Sequence, residues 1–230
     1  MPIEWLDEDS HRLFEEGGLQ EIQDFLAFQG GEIISSARTR TCRLIELGGL
    51  RYYIKTQDLR DRSLPFRKWP SYLFHNSPIL REARSIPLLR SLGWGTPILV
   101  AEGCLGGRPW PRASLLITRE VEGHVDLARF PGSSSQARAW ASALRSLIRD
   151  THAQGFILGG VRFRNFLVPL GEKTESILPS PKSIVILDQP RLRRSKSKRL
   201  QQKDFRYIES DLDRLLTKIK VHNDRRGQPS

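Results

Sequence analysis

The sequence predicts an α+β fold in two lobes, a small β-rich lobe followed by a mainly helical one. Two observations predict it. Short apolar runs bounded by glycine and polar residues occupy the first half, and amphipathic helical periodicity dominates the second. The order is strands, one helix, two strands, then mostly helix. It does not alternate strand and helix as a doubly wound parallel sheet requires. A chain of 230 residues is long enough to bury a sizeable core, as one domain or as one domain in two small lobes.

The elements follow in order. Residues 10–29 read as helical, with Ser10 as a candidate N-cap and Gly17-Gly18 as an interruption, so residues 1–30 form an N-terminal helical extension. Glu32–Ser36, Thr41–Leu47 and Leu50–Thr56 are strand candidates, the last two joined through Gly48-Gly49 as a hairpin. Residues 58–77 mix proline, arginine and aromatics and read as an irregular loop. A helix from about Ile79 to Leu92 stops at Gly93, with Pro87 a position for a kink. Ile98–Ala101 and Ser114–Thr118 are apolar strands across a Gly/Pro-rich turn, and they complete a first lobe over residues 31–118.

The second lobe is expected over residues 119–222. Ser133–Gln154 is the clearest helix, because Ala137, Trp140, Ala141, Leu144, Leu147 and Ile148 recur at helical spacing. Phe166–Val168 and Ser183–Leu187 are short strands around a polar loop. A last helix over Lys203–Val221 carries Phe205, Ile208, Leu212, Leu215, Leu216 and Ile219 on one side. Asn223–Ser230 reads as a disordered tail.

Charged residues make up 27% of the chain and hydrophobic residues 38%, as in soluble globular proteins. No apolar run is long enough to cross a bilayer. The acidic start, Met-Pro-Ile-Glu-Trp-Leu-Asp-Glu-Asp, has no signal-peptide core, so the expected location is the cytoplasm. Cys42 and Cys104 show no metal-ligand spacing and read as two reduced thiols.

The net charge of +11 favours an anionic partner: nucleic acid, a phospholipid surface or a phosphorylated glycolipid. Solubility alone is the plainer account. Seven cations crowd the segment from Arg191 to Lys203. Arg60, Arg62, Arg67 and Lys68 lie beside Phe66, Trp69, Tyr72 and Phe74. Basic residues interleaved with aromatics suit a membrane interface or a nucleic-acid surface equally. No recognised nucleic-acid motif accompanies the charge, which makes nucleic acid the weaker expectation.

Several residues have the types and order that phosphate chemistry needs. Lys55 ends the strand Tyr52-Tyr53-Ile54-Lys55 and can pair with nucleotide phosphates; a solvated strand lysine is the alternative. Glu82, on the following helix, can orient such a lysine through an ion pair, or be one more helix-surface charge. Asp188 ends the apolar run Ser183–Leu187, where a carboxylate can hold Mg²⁺ at bound phosphates, or simply make a turn. Asn165 offers a hard amide oxygen as a second metal ligand, or caps a turn.

The stretch His152-Ala-Gln-Gly155-Phe-Ile-Leu158-Gly-Gly160-Val-Arg162-Phe-Arg-Asn165 has the spacing of a kinase catalytic loop. In that pattern a helix ends in H-x-x-G, an H-x-D follows, and an Asn comes five residues after the Asp. Here Gly155 and Asn165 are in place, Leu158 stands for the His and Gly160 for the Asp.

With these segments in this order the chain resembles the lipopolysaccharide core kinases of the Kdo/WaaP family. The resemblance rests on Arg51–Lys55, Arg81-Glu82-Ala-Arg84, Leu88–Gly93 with Thr96-Pro97, Ile117–Glu122, His152–Val168, Ile184–Asp188 and Asp204-Phe205…Asp211-Leu212. It spans about residues 32–216 and implies a protein-kinase-like bilobal fold, ATP and Mg²⁺ as cofactors, and a sugar hydroxyl of the lipopolysaccharide inner core as acceptor. It also implies roles residue by residue. Lys55 binds phosphate, Glu82 orients it, Thr118, Glu120 and Val121 belong to a hinge facing adenine, and Asn165 and Asp188 hold Mg²⁺. Arg162 stands where many kinases carry a phosphate-contacting lysine; a solvated loop arginine is the alternative.

Two departures divide the functional expectation. Gly160 has no base to accept the acceptor's proton, and Ser35–Arg40 replaces the usual glycine-rich phosphate loop. A positioned base is typically worth roughly 10²–10⁴ in rate, yet phosphoryl transfer depends mostly on positioning and charge neutralisation. The expectations are therefore a phosphotransferase on core sugar, or a pseudokinase serving as a nucleotide-binding or scaffolding module in envelope biosynthesis. Either would contact an anionic glycolipid peripherally at the cytoplasmic face of the inner membrane.

Overall fold

The computed structural model describes residues 2–60, 77–106, 112–170, 179–188 and 191–226, with side chains to residue 221. The expected loop at 58–77 therefore lies almost wholly outside the described residues, as do Arg62, Arg67, Lys68 and their aromatic neighbours. The chain divides into two compact units, Met1–Pro87 with Pro97–Val121 and Leu88–Thr96 with Glu122–Ser230.

The first unit is built on a six-stranded antiparallel sheet. Its strands are β1 (Glu4–Trp5), β2 (Glu32–Ala37), β3 (Arg40–Leu47), β4 (Leu50–Asp58), β5 (Leu99–Leu105) and β6 (Ala113–Arg119), in the order β1-β5-β6-β4-β3-β2. The β3–β4 turn closes through Gly48 (φ 57°) and Gly49 (φ 75°), with Leu47 opposite Leu50. Two consecutive left-handed residues make a hairpin turn that matches the strand twist, and glycine takes that conformation at no steric cost.

Alternation along β4 sorts its side chains between the sheet's faces. Tyr52 and Ile54 point into a core formed with Phe14, Ile22 and Phe25, while Lys55 lies on the opposite face, paired across strands with Leu116. Phe14 belongs to α1 (Glu8–Glu16), and Ile22 and Phe25 to α2 (Ile22–Ala27). The first thirty residues are thus part of this core. Asp7, not Ser10, is the N-cap of α1; Ser10 is buried, with its hydroxyl 2.5 Å from an Asp7 carboxylate oxygen and 3.0 Å from Tyr52 Oη. Asp7 also accepts from Arg119 Nη2 at 2.6 Å.

The other face of the sheet carries the start of α3 (Pro78–Ser91), whose Ile79 and Ala83 pack on Leu116. Ser77 Oγ accepts the Leu80 N–H at 3.2 Å and meets Ser114 Oγ at 2.7 Å, which caps the helix and ties its first turn to β6. Pro87 lies inside α3, and the units divide directly after it.

The second unit is organised by two long helices, α4 (Ser134–Ala153) and α5 (Lys198–Arg226). A capping box between Ser133 and Gln136 starts α4. Its Leu144 and Ile148 share a core with Phe163, Phe166, Ile208 and Leu212. Strands β7 (His124–Asp126), β9 (Phe166–Pro169) and β10 (Val185–Ile186) form a three-stranded sheet in the order β10-β9-β7. β10 is shorter than Ser183–Leu187 because Pro181–Ser183 forms a 3₁₀ turn capped by Ser180. β8 (Phe156–Ile157) pairs with β11 (Arg193–Arg194), a ribbon that the basic composition of the segment concealed.

The last helix corrects the sequence reading at both ends. It begins at Lys198 and runs to Arg226, so residues 223–226 are helical where a disordered tail was expected. No glycine or proline interrupts it before Gly227.

Replacing Phe14 by Ala, with its ring fully buried, should cost about 3–5 kcal/mol in urea unfolding. A loss below about 1 kcal/mol would mean that the N-terminal helices are not part of the cooperative core.

Candidate active site

Strand β4 and helix α3 bring two of the expected residues together. Lys55 Nζ lies 2.5 Å from Glu82 Oε1, with side-chain exposures of 25% and 9%. The pairing follows from the fold of the first unit. Alternation puts Lys55 on the face covered by α3, and Glu82 sits one residue before Ala83, which seats that helix on Leu116. A charge as buried as Glu82 needs a partner, and the lysine supplies it.

Thr118, Glu120 and Val121 follow along β6 and its exit. Thr118 is buried, between Tyr53 on β4 and Leu99 on β5. The Glu120 N–H donates to the Arg51 carbonyl at 2.8 Å, and its carboxylate pairs with Arg51 Nη1 at 2.9 Å. Glu120 is therefore fixed by the sheet on both its backbone donor and its side chain. Burial first, and then the Glu120 charge, push the Tyr53 hydroxyl above its ordinary pKa. Val121 ends the segment, half-buried.

In the second unit, the loop with catalytic-type spacing is held by two carboxylates of α5. Asp204, 1% exposed, accepts the N–H groups of Leu158 at 3.1 Å and Gly159 at 3.0 Å, and lies 3.1 Å from His152 Nε2. Asp211 accepts the Phe163 N–H at 2.9 Å and pairs with Arg162 through Nε at 3.0 Å and Nη2 at 2.9 Å. The two acids are seven positions apart, which puts them two turns along one face of the helix. They grip the two ends of the loop.

Arg162 is thus bound to Asp211 in a two-nitrogen fork, rather than standing as a solvated loop arginine. Asp204 and Asp211 are the residues whose roles sequence reasoning missed. Both appear in the segments that carried the family resemblance, but their targets are backbone N–H groups some fifty residues away, and no local pattern marks such a contact.

The two loop glycines have different reasons. Gly159 has φ 71°, and a Cβ there would come within 3.1 Å of Arg191 Cβ. Gly160 lies outside the left-handed region, and a Cβ on it would meet only Arg191 Cδ, at 3.9 Å, an ordinary contact. The backbone at 160 is therefore compatible with a side chain.

Asn165 and Asp188 are also brought together. The Leu187 N–H donates to the Asn165 carbonyl at 2.7 Å, and Asn165 Nδ2 donates to the Asp188 carbonyl at 3.4 Å. Asp188 has φ 44°, the one non-glycine among the described residues with positive φ, and such outliers concentrate at functional sites. Among the described residues the Asp188 carboxylate and the Asn165 amide oxygen accept no hydrogen bond. One carboxylate and one amide oxygen are hard donors. They fit Mg²⁺, which takes one or two protein ligands and completes its shell with phosphate and water. No cluster of three or more His, Cys, Asp or Glu suited to a metal occurs among the described residues.

Comparison with known proteins fits this geometry. The family profile of the lipopolysaccharide kinase (Kdo/WaaP) family matches residues 35–223. The chain belongs to that family. Among solved structures it is similar to WaaP in complex with acyl carrier protein, at TM-score 0.60 and 20% identity over 95% of this chain and 89% of that one. It is also similar to two structures of the Rio2 kinase from Chaetomium thermophilum. The ADP/Mg²⁺-phosphoaspartate complex gives TM-score 0.54 and 15% identity, covering 84% of this chain and 58% of that one; the other gives 0.56 and 15%, covering 85% and 60%. No curated protein sequence matches. The fold is protein-kinase-like, with a strand-rich N-terminal unit and a mainly helical C-terminal one. Membership in the Kdo/WaaP family implies a kinase acting on the lipopolysaccharide core, with ATP as phosphate donor.

Asp204→Ala would leave two backbone N–H groups and His152 without their acceptor. We expect a loss of about 2–5 kcal/mol in urea unfolding. An unchanged midpoint would show that this carboxylate does not hold the loop.

Proposed function

We propose that the protein is an ATP-dependent phosphotransferase whose acceptor is a sugar hydroxyl of the lipopolysaccharide inner core. The observation that carries this reading is the Lys55–Glu82 ion pair, supported by the family assignment. In the proposed reaction Lys55 binds phosphate oxygens of the nucleotide and Glu82 keeps its ammonium in place. Asn165 and Asp188 would hold Mg²⁺, which supplies charge neutralisation at the phosphates when bound. Transfer breaks the bond between the γ-phosphorus and its bridging oxygen, forms one to the acceptor oxygen, and releases ADP. Thr118, Glu120 and Val121 would line the adenine side, where the Glu120 N–H is already donated to the Arg51 carbonyl.

The acceptor hydroxyl must lose a proton, and Gly160 offers no base. In the proposed mechanism the proton passes to a phosphoryl oxygen or to water, as a transition state with little covalent bonding to the nucleophile permits. The chain's contribution is then orientation and electrostatics. Gly160 and Leu158 favour a second reading, a pseudokinase that serves as a nucleotide-binding or scaffolding module in envelope biosynthesis without turnover.

The acceptor is anionic and membrane-anchored, and a chain of net charge +11 is suited to meet it. No helix among the described residues is long and apolar enough to cross a membrane. The peripheral location we propose, at the cytoplasmic face of the inner membrane, rests on the proposed acceptor and on the net charge.

Calorimetric titration with ATP should show Mg²⁺-dependent binding that Asp188→Asn weakens by about tenfold or more. No binding at millimolar ATP would rule out both the transferase and the nucleotide-binding pseudokinase. Gly160→Asp, which meets no steric obstacle at its Cβ, should raise transfer to the core acceptor by roughly 10²-fold if a missing base limits the rate. An unchanged rate with ATP binding intact would mean that another step limits turnover.

A further inference from the structure

A second feature of the C-terminal unit lies on the loop side of α5. A recess of about 190 Å³ is lined by Arg162 and Arg164 from the 3₁₀ turn region and by Arg214 and Lys218 from α5, with Leu215 and Ala128 as its apolar wall. Asp211 is the single acid in the lining. This carboxylate is 9% exposed and already engaged by the Phe163 N–H and the Arg162 fork, with Arg214 Nη1 a further 3.7 Å away. Four cations against one carboxylate leave the lining with a net charge of +3.

This arrangement costs stability as it stands. Arg214 and Lys218 are four positions apart, so they are neighbours on one helix face, where like charges repel. Arg164 and Lys218 make no ion pair among the described residues. A surface that needed only solubility would disperse these charges or intersperse acids. The Arg162 guanidinium is held by Asp211 through Nε and Nη2, and its Cζ lies 5.7 Å from the Tyr207 ring centroid, so this charge at the recess is already ordered.

We infer that this recess is a binding site for a phosphate monoester, the group that a phosphorylated sugar presents. A volume of about 190 Å³ lies below the roughly 300–1,000 Å³ of pockets that enclose drug-sized ligands, which suits one small anionic group rather than a nucleotide. A phosphate monoester carries roughly −1.5 to −2 at neutral pH and three strong acceptor oxygens, which matches the guanidinium groups of Arg164 and Arg214, the Arg162 charge and one lysine point charge better than a monoanionic carboxylate does. If the acceptor is a core sugar, as proposed above, the site holds a phosphate that the acceptor already bears. The binding itself does not depend on that reading.

The test uses the full chain with inorganic phosphate and glucose 1-phosphate as probes, each compared with sodium chloride at equal ionic strength by thermal unfolding and calorimetry. Phosphate should raise the unfolding temperature of the wild type, and glucose 1-phosphate should match or exceed it. Arg164→Ala and Lys218→Ala should each weaken binding by about tenfold, the loss expected for one charge-assisted contact. Asp188→Asn should leave phosphate binding unchanged, so failure of nucleotide binding and failure of this site are read separately. No response of the wild type, or an equal response in the double variant Arg164→Ala/Lys218→Ala, would overturn the proposal. So would binding to phosphatidylglycerol-containing phosphatidylcholine vesicles that the double variant loses while neither soluble probe has any effect, because the surface would then read a membrane.

Discussion

The C-terminal unit depends on the grip of α5 on one loop. Asp204 and Asp211 stand on one helix face and accept N–H groups at both ends of the segment Leu158–Phe163. Leu158, Val161 and Phe163 anchor the loop in the core, while Gly159-Gly160 has no side chains to pack, so the backbone there is held by buried carboxylates with several donors each. Such networks are stable only when every member is satisfied. Here the donors are backbone groups, His152 and Arg162, all in place. The helix in turn is held through Ile208, Leu212 and Leu215, which lie between and beside the two acids and pack in the core of the same unit.

The same logic explains how a loop with kinase-type spacing can be held with a glycine at position 160. The groups that hold it are the backbone N–H of Leu158 and of Gly159, and neither requires a particular side chain at 158 or 160. Position 160 is thus free of a structural duty, whereas position 159 is constrained to glycine by φ 71° and the approach of Arg191. The side chain at 160 can therefore vary without changing what anchors the loop. The N-terminal unit shows the complementary case. Lys55 and Glu82 are engaged with each other on a covered sheet face, so a structural ion pair and a nucleotide-orienting one have the same geometry. The second is the role proposed above.

Much of the fold was legible in the sequence. Gly48-Gly49 between alternating apolar runs specified a hairpin that formed with Leu47 opposite Leu50. The period of Ala137–Ile148 specified α4 almost to the residue. Two-residue strands such as β8 and β11 left no trace because they are too short for any period. Arg193 and Arg194 look like solvent-facing charge until the partner strand is seen, with Arg194 Cζ 5.4 Å from the Phe156 ring centroid. Ser10 looked like a cap because serine before an apolar helix usually is one. Its burial beside Tyr52 came from the packing of α1 on the sheet.

Residue order and type by themselves determined the strand-rich and helical halves, the pairing of Lys55 with Glu82 as a possibility, and a loop of kinase-type spacing with glycine at 160. These are local or order-dependent properties, carried by periodicity, turn chemistry and spacing. Only the tertiary structure decided which acids hold the loop, that Arg162 answers to Asp211, and that Arg164, Arg214 and Lys218 gather around one recess. Each of these joins positions about fifty residues apart through the placement of α5. A side chain's charge can be read from its letter, but its partner depends on where the rest of the chain sets it down.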